Sequence, residues 1–533
     1  MRRSGLLLLV STLCLTSTAT ASARGEPPRP DFAARCAILA SRGMHGVPQA
    51  AVCSPDSMGA AERRRDPDPG VCRPSPGAAS RCPKKVARAG SFSSGVGGGA
   101  LLPDGGAVVH GLDYRTRSGW KLVGVRPDGS QRWKRAHNGG GWINSTVVVD
   151  GGRGVIASGY TRGDSYSFVV RRYDARTGSV AWTATPRLKG LPEAVGQGMS
   201  LSRDGRTVLL AGYGHKKFSS VRPVVVALDV ATGRIRWSRE VALDEGTEAG
   251  LYFVTLSPDG KTIFAAGDTW DDQEDPFVAA LETATGRVKW ARRVPGALND
   301  YVYDAQVTSD GRSLVLAGET YLPSYYGSVQ LLLAVDVDDG AVQWQHTSAL
   351  PARGQYWWAF DVVVTPKAVF ATLTSSVAVF GSATAFVLVR GAGPSSVVAI
   401  DPGEGSPLWE TALTPDSGGL LADPRIAASQ DGSRVYLAAV AASTTTFAYS
   451  PPGVAVYPKT GDLVVQALDA KSGAGVWRSG YNGSAAAPEG SSVGAILVGP
   501  AGVHVFADTT PPRYAAVAAY RWETEGLWLT YDH

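Results

Sequence analysis

From residue 120 to the end of the chain, short apolar, β-branched runs alternate with polar Asp-Gly and Thr-Gly pairs, and one pattern keeps returning. Its clearest copies are VVVALDVATGRIRW ending at Trp237, FVAALETATGRVKW at Trp290, LLLAVDVDDGAVQW at Trp344 and LVVQALDAKSGAGVW at Trp477. Looser copies end at Trp133, Trp182 and Trp409, and a degenerate one, VAAYRWETEGLW, ends at Trp528. In each, an apolar strand runs into Asp or Glu, a Gly able to take positive φ closes a tight turn, and the next strand carries the Trp. Upstream of each copy a second hairpin turns on Asp-Gly, as in LSRDG (Asp204), LSPDG (Asp259), VTSDG (Asp310) and ASQDG (Asp431). Asp-Gly between alternating hydrophobic residues is a strong hairpin signal. Each unit therefore reads as a four-stranded antiparallel meander of about fifty residues.

Such units hide their sheet edges by packing radially, blade against blade, so the fold class expected is all-β, a β-propeller. Eight upstream hairpins match eight Trp strands, which favours eight blades with each chain end supplying whole strands. Seven blades remain the alternative, because the last copy has Arg521 where most of the others have an acid. Composition agrees: 64 Gly, 33 Pro and only 19% charged residues suit many short strands joined by turns.

The N-terminal region reads differently. Met1-Arg2-Arg3, the apolar run Leu6–Leu15 and Ala21-Ser22-Ala23 have the order of a secretory signal peptide spanning 1–23, which implies a secreted chain. No later stretch is long and apolar enough for a transmembrane segment; Val377–Val389 comes nearest and reads as a hairpin around Gly381-Ser382. Residues 24–90 form a Cys-, Pro- and Arg-rich segment whose Cys36, Cys53, Cys72 and Cys82 suit two disulfides with three possible connectivities. Their spacing contains no Cys-x₂-Cys knuckle for zinc. The formal net charge of +5 is concentrated here, with 12 basic and 6 acidic residues in 24–90; residues 91–533 come to −3. That balance supports no nucleic-acid partner.

The alternation of Ala227-Leu228-Asp229, Thr232-Gly233 and Trp237 with a preceding strand, echoed at Asp174, Thr177, Gly178 and Trp182, resembles the PQQ-like repeat of quinoprotein alcohol dehydrogenase-type propellers. The resemblance spans roughly residues 94 to 533, within a propeller expected over 91–533, and implies a structural role, packed between blades, for Trp133, Trp182, Trp237, Trp290, Trp344, Trp409, Trp477 and Trp528. It implies either calcium- and PQQ-dependent alcohol oxidation or a non-enzymatic scaffold such as the lipoprotein subunit of the outer-membrane assembly machine. The sequence departs from the dehydrogenases in having no adjacent Cys pair in the propeller and no Cys-x-x-Cys-His, so PQQ is not expected.

In a four-stranded meander the Asp-Gly and Thr-Gly turns share one face, while the second-to-third and blade-to-blade loops share the other. The second set is long, aromatic and acidic here, and function is sought there. Counting six residues back from each hairpin Asp, with Lys367 as its equivalent in one repeat, gives Asn144, Gly198, Phe253, Asp304, Asp361 and Arg425 near the channel mouth, with Tyr301, Trp357 and Trp358 close by. This arc is a candidate ligand-binding mouth; a blade-closing salt bridge is the competing reading, and a lyase or glycosidase using Asp304 and Asp361 a third. Asp271, Asp272, Glu274 and Asp275 offer hard oxygen ligands for calcium but lack the spacing of an EF-hand. Hydrolase, phosphate-loop and dinucleotide motifs are missing. The expectation is a secreted, non-catalytic monomer that binds a protein or glycan through its long-loop face, without a cofactor save possible calcium.

Overall fold

The computed structural model describes residues 71–533 apart from 74–78, 81, 93–95, 113–117, 139, 163–164, 217–219, 244–246, 271–273, 295, 297–298, 323–326, 349–354, 383–384, 391–394, 414–419, 443–459, 483–490, 501 and 510–523. The chain divides into Met1–Asp66, which lies outside the described residues, and Pro67–His533. The second unit is an eight-bladed propeller. Blade 4 is representative: Ala249–Leu256, Thr262–Thr269, Pro276–Glu282 and Val288–Arg293 pair in that order, all antiparallel. The first strands of blades 1 to 8 are Val96–Leu101, Trp142–Val149, Glu193–Leu201, Ala249–Leu256, Asp300–Val307, Gln355–Val364, Leu420–Ala428 and Ser491–Gly499. Each packs against the first strand of the next blade, and that of blade 8 packs against that of blade 1, which closes the ring about a central channel.

The turns form for reasons legible in the repeat. In the Asp-Gly hairpins, Ser202, Ser257, Thr308 and Ser429 donate their hydroxyls to Asp204, Asp259, Asp310 and Asp431, each of which also accepts a backbone N–H two residues on. In the second turn Asp229 Oδ1 accepts from both Thr232 N (2.9 Å) and Thr232 Oγ1 (2.8 Å), fixing the loop into which Gly233 fits.

The Trp repeat is the joint between blades. Trp237 Nε1 of blade 3 donates to Thr283 O of blade 4 (3.2 Å), and the ring lies on Gly286, whose φ is +67°. A Cβ at Gly286 would sit 2.4 Å from the Trp237 ring, so the turn needs glycine for both conformation and space. Trp133, Trp182, Trp290, Trp344 and Trp409 repeat this joint, donating to Ala175 O, Val230 O, Val337 O, Pro402 O and Ala470 O. Trp477 stacks instead on Tyr531, with centroids 5.6 Å apart.

Trp528 departs from the sequence expectation. It stands on the third strand of blade 8, Thr524–Tyr531, and not on a fourth. The fourth strand is Lys85–Phe92, delivered from the N-terminal side and antiparallel to Thr524–Tyr531. Elsewhere a fourth-strand Trp faces a third-strand residue, as Trp237 faces Ala227; in blade 8 Trp528 faces Ala87, the pair being inverted across the two strands. Its Nε1 donates to His504 Nδ1 of its own blade (3.2 Å), and Trp528 packs with Phe506 against Val109 and Val123 of blade 1. The propeller thus begins at Lys85, ahead of the expected boundary at 91, and both chain ends build its last blade.

Two more features sit off the regular pattern. Val71–Arg73 and Ala79–Ser80 pair with Gly475–Asn482, the fourth strand of blade 7. Cys72 lies in the first of these and Cys82 is exposed just before Lys85–Phe92, while Cys36 and Cys53 lie outside the described residues. In blade 6 the second strand, Val369–Ser382, runs on into a hairpin with Ala385–Arg390. The hairpin expected around Gly381-Ser382 is present, with Ser382 paired to Ala385.

Candidate functional site

The inner strand of every blade carries a register shift at the same place, between Ile143 and Ser145, Leu251 and Phe253, Val302 and Asp304, Ala359 and Asp361, Ala422 and Arg425, and at the matching points of blades 1, 3 and 8. A bulge leaves backbone groups without ladder partners and re-aims side chains. The residues counted out from the sequence sit at these bulges, where they hold neighbouring blades together. Asn144 Nδ2 of blade 2 donates to Gly196 O (2.6 Å) and to Gln197 Oε1 (3.1 Å) of blade 3. Asp304 of blade 5 accepts from Val362 N (3.1 Å) of blade 6 and from its neighbour Ala305 N (2.8 Å). Asp361 of blade 6 accepts from Ile426 N (3.0 Å) of blade 7. Gln306, which the sequence reading passed over, adds a further tie, donating to Val362 O (2.6 Å) and accepting from Val364 N (3.3 Å).

Asp304 and Asp361 also hydrogen-bond to each other beside Arg425. Burial pushes both carboxyls up. Asp361 rises well above the ordinary range because the Asp304 charge adds to its desolvation, whereas Asp304 is held back by the Asp361 hydrogen bond. The two carboxyls therefore titrate as a pair and not as independent groups. Asp304, Asp361 and Arg425 do come together on consecutive blades. The two acids tie consecutive blades by accepting backbone N–H groups of the blade that follows. An axial cavity of about 270 Å³ opens beside them, lined by Asn144, Gln197, Tyr252, Phe253 and Asp304.

Tyr301 does not join this arc. Its hydroxyl donates to Glu274 of blade 4. Trp357 and Trp358 lie in the inner strand of blade 6, and their side chains fall outside the described residues. Of the calcium candidates, Asp271 and Asp272 lie outside the described residues. Asp275 is buried and ion-paired with Arg293 (2.5 Å), and it also accepts from Gly296 N (3.0 Å).

Tyr301 and Glu274 belong to a second cluster, on the long-loop face at the seam between blades 4 and 5. Asp268, next to last in the second strand of blade 4, accepts from Val302 N of blade 5 (2.9 Å). Glu319 of blade 5 accepts from both Tyr303 and Ser328 hydroxyls. Trp270 lies on the other side of blade 4, its Nε1 donating to Tyr252 Oη (2.6 Å) and its ring packed on Tyr213 of blade 3. Asp268 is pushed well above the carboxylate range by burial, reinforced by Glu274, Asp300 and Glu319 nearby. Burial also pushes Asp300 up to about 6, with the Asp275 charge adding to it. The sequence held one clue to this seam: an acid, Asp268, closing the otherwise apolar strand TIFAAGD. An open groove of about 840 Å³ lies further round the same face, between Tyr166 and Phe168 of blade 2 and the loop carrying Pro186, Arg187 and Leu191.

A quinone with its calcium would need a ligand set at the channel, and the residues there do not fit one. The channel carboxylates are engaged with backbone N–H groups of the next blade, every cysteine precedes Lys85, and among the described residues no group of three His, Cys, Asp or Glu could hold a metal. No described helix is long and apolar enough to cross a membrane.

Among solved structures, the chain is similar to BamB from Moraxella catarrhalis (TM-score 0.44, 16% identity, covering 84% of this chain and 100% of that one). It is also similar to the quinohemoprotein alcohol dehydrogenases ADHIIG from Pseudomonas putida HK5 (0.46, 13%, 84% and 76%) and from Comamonas testosteroni (0.45, 13%, 85% and 78%). No curated protein matches it in sequence. The family model described as outer membrane protein assembly factor BamB matches residues 84–345 and 224–459, more than half of the chain, and its first match opens at the strand that closes the ring. The chain belongs to this family of PQQ-like repeat propellers.

Proposed function

We propose that the protein is a non-catalytic binding propeller, exported to the cell exterior, that takes a partner protein on its long-loop face. The observation that carries this reading is the use made of the channel acids. Asp304 and Asp361, the pair best placed for general acid–base or ligand chemistry, each hold a backbone N–H of the following blade. A carboxyl engaged in this way is poorly placed to meet a substrate proton as well. The long-loop face, by contrast, gathers partly exposed Tyr301, Tyr321 and Trp270 beside Glu274 and Glu319, a mixture of aromatic and polar groups typical of interaction surfaces. The family's description as an assembly factor agrees with a scaffold role.

The test is capture of partners from culture supernatant on immobilised full-length protein. One protein should be retained by the wild type and lost when a bulky charged residue is placed on the face, as in Tyr321→Lys, with an unchanged melting curve. A glycan array read in parallel distinguishes a sugar ligand. Dye-linked alcohol oxidation after addition of PQQ and calcium would overturn the non-catalytic reading.

A further inference from the structure

Where the chain leaves blade 2 it breaks a pattern kept in blades 1, 3, 4, 6 and 7. In the third strand of blade 2, Tyr166–Asp174, Asp174 donates to Ser179 O and accepts from Gly178 N on the side of the fourth strand, Val180–Ala184. Alternation along the strand turns the N–H and C=O of Arg172, Val170, Phe168 and Tyr166 to the same side. The ladder stops at Val170 opposite Ala184, so the next pair would set Pro186 against Phe168. In blades 3 and 4 that position holds Val241 and Val294, whose N–H groups donate to Pro223 O (2.9 Å) and Pro276 O (2.8 Å). In blades 1, 6 and 7 the ladder itself runs through it, at His137, Leu413 and Tyr481. Pro186 has no N–H to give. The chain instead leaves the edge and turns back on itself at Leu188 and Leu191, with Gly190 at φ +76°. Among the described residues nothing pairs with the main chain of Tyr166 and Phe168 from this side, and the open groove of about 840 Å³ lies between strand and loop.

We propose that this groove takes an extended, acidic segment of the partner protein as an added strand on the Tyr166–Phe168 edge. The proposal rests on the reading of the long-loop face given above. An open strand edge is a template for another chain, with main-chain groups supplying the pairing and the groove selecting alternate side chains. The floor is apolar, built from buried Phe168, Leu188, Leu191 and Ala194, so every second side chain of the guest should be apolar. The rim is basic. Arg187 and Lys189 are exposed on the loop, and Arg162, also exposed, lies over the Tyr166 ring (5.8 Å). Among the described residues no acid lines the groove and none of these three cations has a carboxylate partner. Acidic side chains between the apolar ones would complement that rim.

The probe is a fluorescein-labelled octapeptide of alternating Val and Glu, titrated into the full-length protein and read by anisotropy at neutral pH, with alternating Val and Lys as control. Binding of the first and not the second is expected. In an extended strand the Val amides point to one edge and the Glu amides to the other, so N-methylating one set should abolish binding and N-methylating the other should spare it. Pro186→Val, which restores the N–H that blades 3 and 4 have, should keep or raise Tm and weaken binding at least tenfold. Arg187→Gln with Lys189→Gln should weaken binding several-fold at low salt, and Arg234→Gln with Lys261→Gln, the same charge change on the turn face, should leave it unchanged. No binding by the wild type, equal effects of the two N-methylated sets, or undiminished binding by Pro186→Val overturns the proposal. A wild-type dimer on size exclusion that Pro186→Val dissolves also overturns it, since the edge then takes a second copy. If a captured partner is retained by Pro186→Val as tightly as by wild type, this inference falls and the binding-propeller reading stands. If peptide binding depends on the groove while no partner is ever captured, the reverse holds.

Discussion

The acids on the two faces of the ring are treated in opposite ways. On the turn face, Asp174, Asp204, Asp229, Asp259, Asp310, Asp431 and Asp469 are all held below the ordinary carboxylate range. Hydroxyl, guanidinium and backbone donors of their own turns are responsible, and Asp229 and Asp431 come down to about 2. In the channel and on the long-loop face, Asp268, Asp300, Asp304 and Asp361 are all pushed up by burial. One residue type thus does two jobs. On the first face the donors come from the repeat itself, and the acid stabilises a turn. On the second, burial outweighs the donors the fold supplies, and the acid is held against its preference for water.

This contrast exists only while the ring is closed, so the largest effect expected is from opening it. Removing residues 1–92 deletes Lys85–Phe92 and leaves the Thr524–Tyr531 edge unpaired. The truncated chain should lose cooperative melting and aggregate on size exclusion, as an open strand edge invites. Removing residues 1–83 spares the closing strand and should cost only a few degrees in Tm. Next in size is the joint beneath the turn face. Trp237→Ala should destabilise by about 3–5 kcal/mol in denaturant titration, the usual range for emptying a buried aromatic site. Gly286→Ala and Gly205→Ala share nearly the same φ, +67° and +69°, but only Gly286 has a ring against it. Gly205→Ala should therefore cost about 1 kcal/mol and Gly286→Ala clearly more. Equal costs would mean that backbone conformation, and not the Trp contact, sets the requirement for glycine.

Much of the turn face was legible in the sequence because each of its devices is local. Ser202 to Asp204, Asp229 to Thr232 and Asp229 to Gly233 lie within a few residues of one another and recur in several blades. The counting rule that reached Asn144, Asp304, Asp361 and Arg425 succeeded for the same reason, since the bulge lies at a fixed distance from a recurring turn. Trp528 was placed on the wrong strand because its partner Ala87 is delivered from the other end of the chain, and no local pattern marks that exchange. The acidic seam was missed for a related reason. Asp268, Asp300 and Glu319 belong to two blades and do not recur, so only the packing of blade 4 on blade 5 brings them together.

The smallest effect expected is also the one that tests the contrast between the faces most directly. A carboxyl whose pKa is lower in the folded state than in the unfolded one stabilises above its unfolded pKa and loses that contribution as the pH falls. A carboxyl whose folded pKa is raised does the opposite, contributing fully below its unfolded value and losing the contribution as the pH rises through the folded one. For Asp229 and Asp431 the loss runs from about pH 4 down to about 2, and their exposure to solvent keeps it small. For Asp300 the loss runs upward from about pH 4 to about 6, and for Asp268 it extends higher. Tm measured in low salt should therefore peak in mildly acid solution and decline toward pH 8. Asp268→Asn should flatten the alkaline side of that profile and leave the acid side in place, and Asp229→Asn should shift only the acid side. If Asp268→Asn left the alkaline slope unchanged, the decline would have another source, and the seam acid would be as well satisfied as those of the turns.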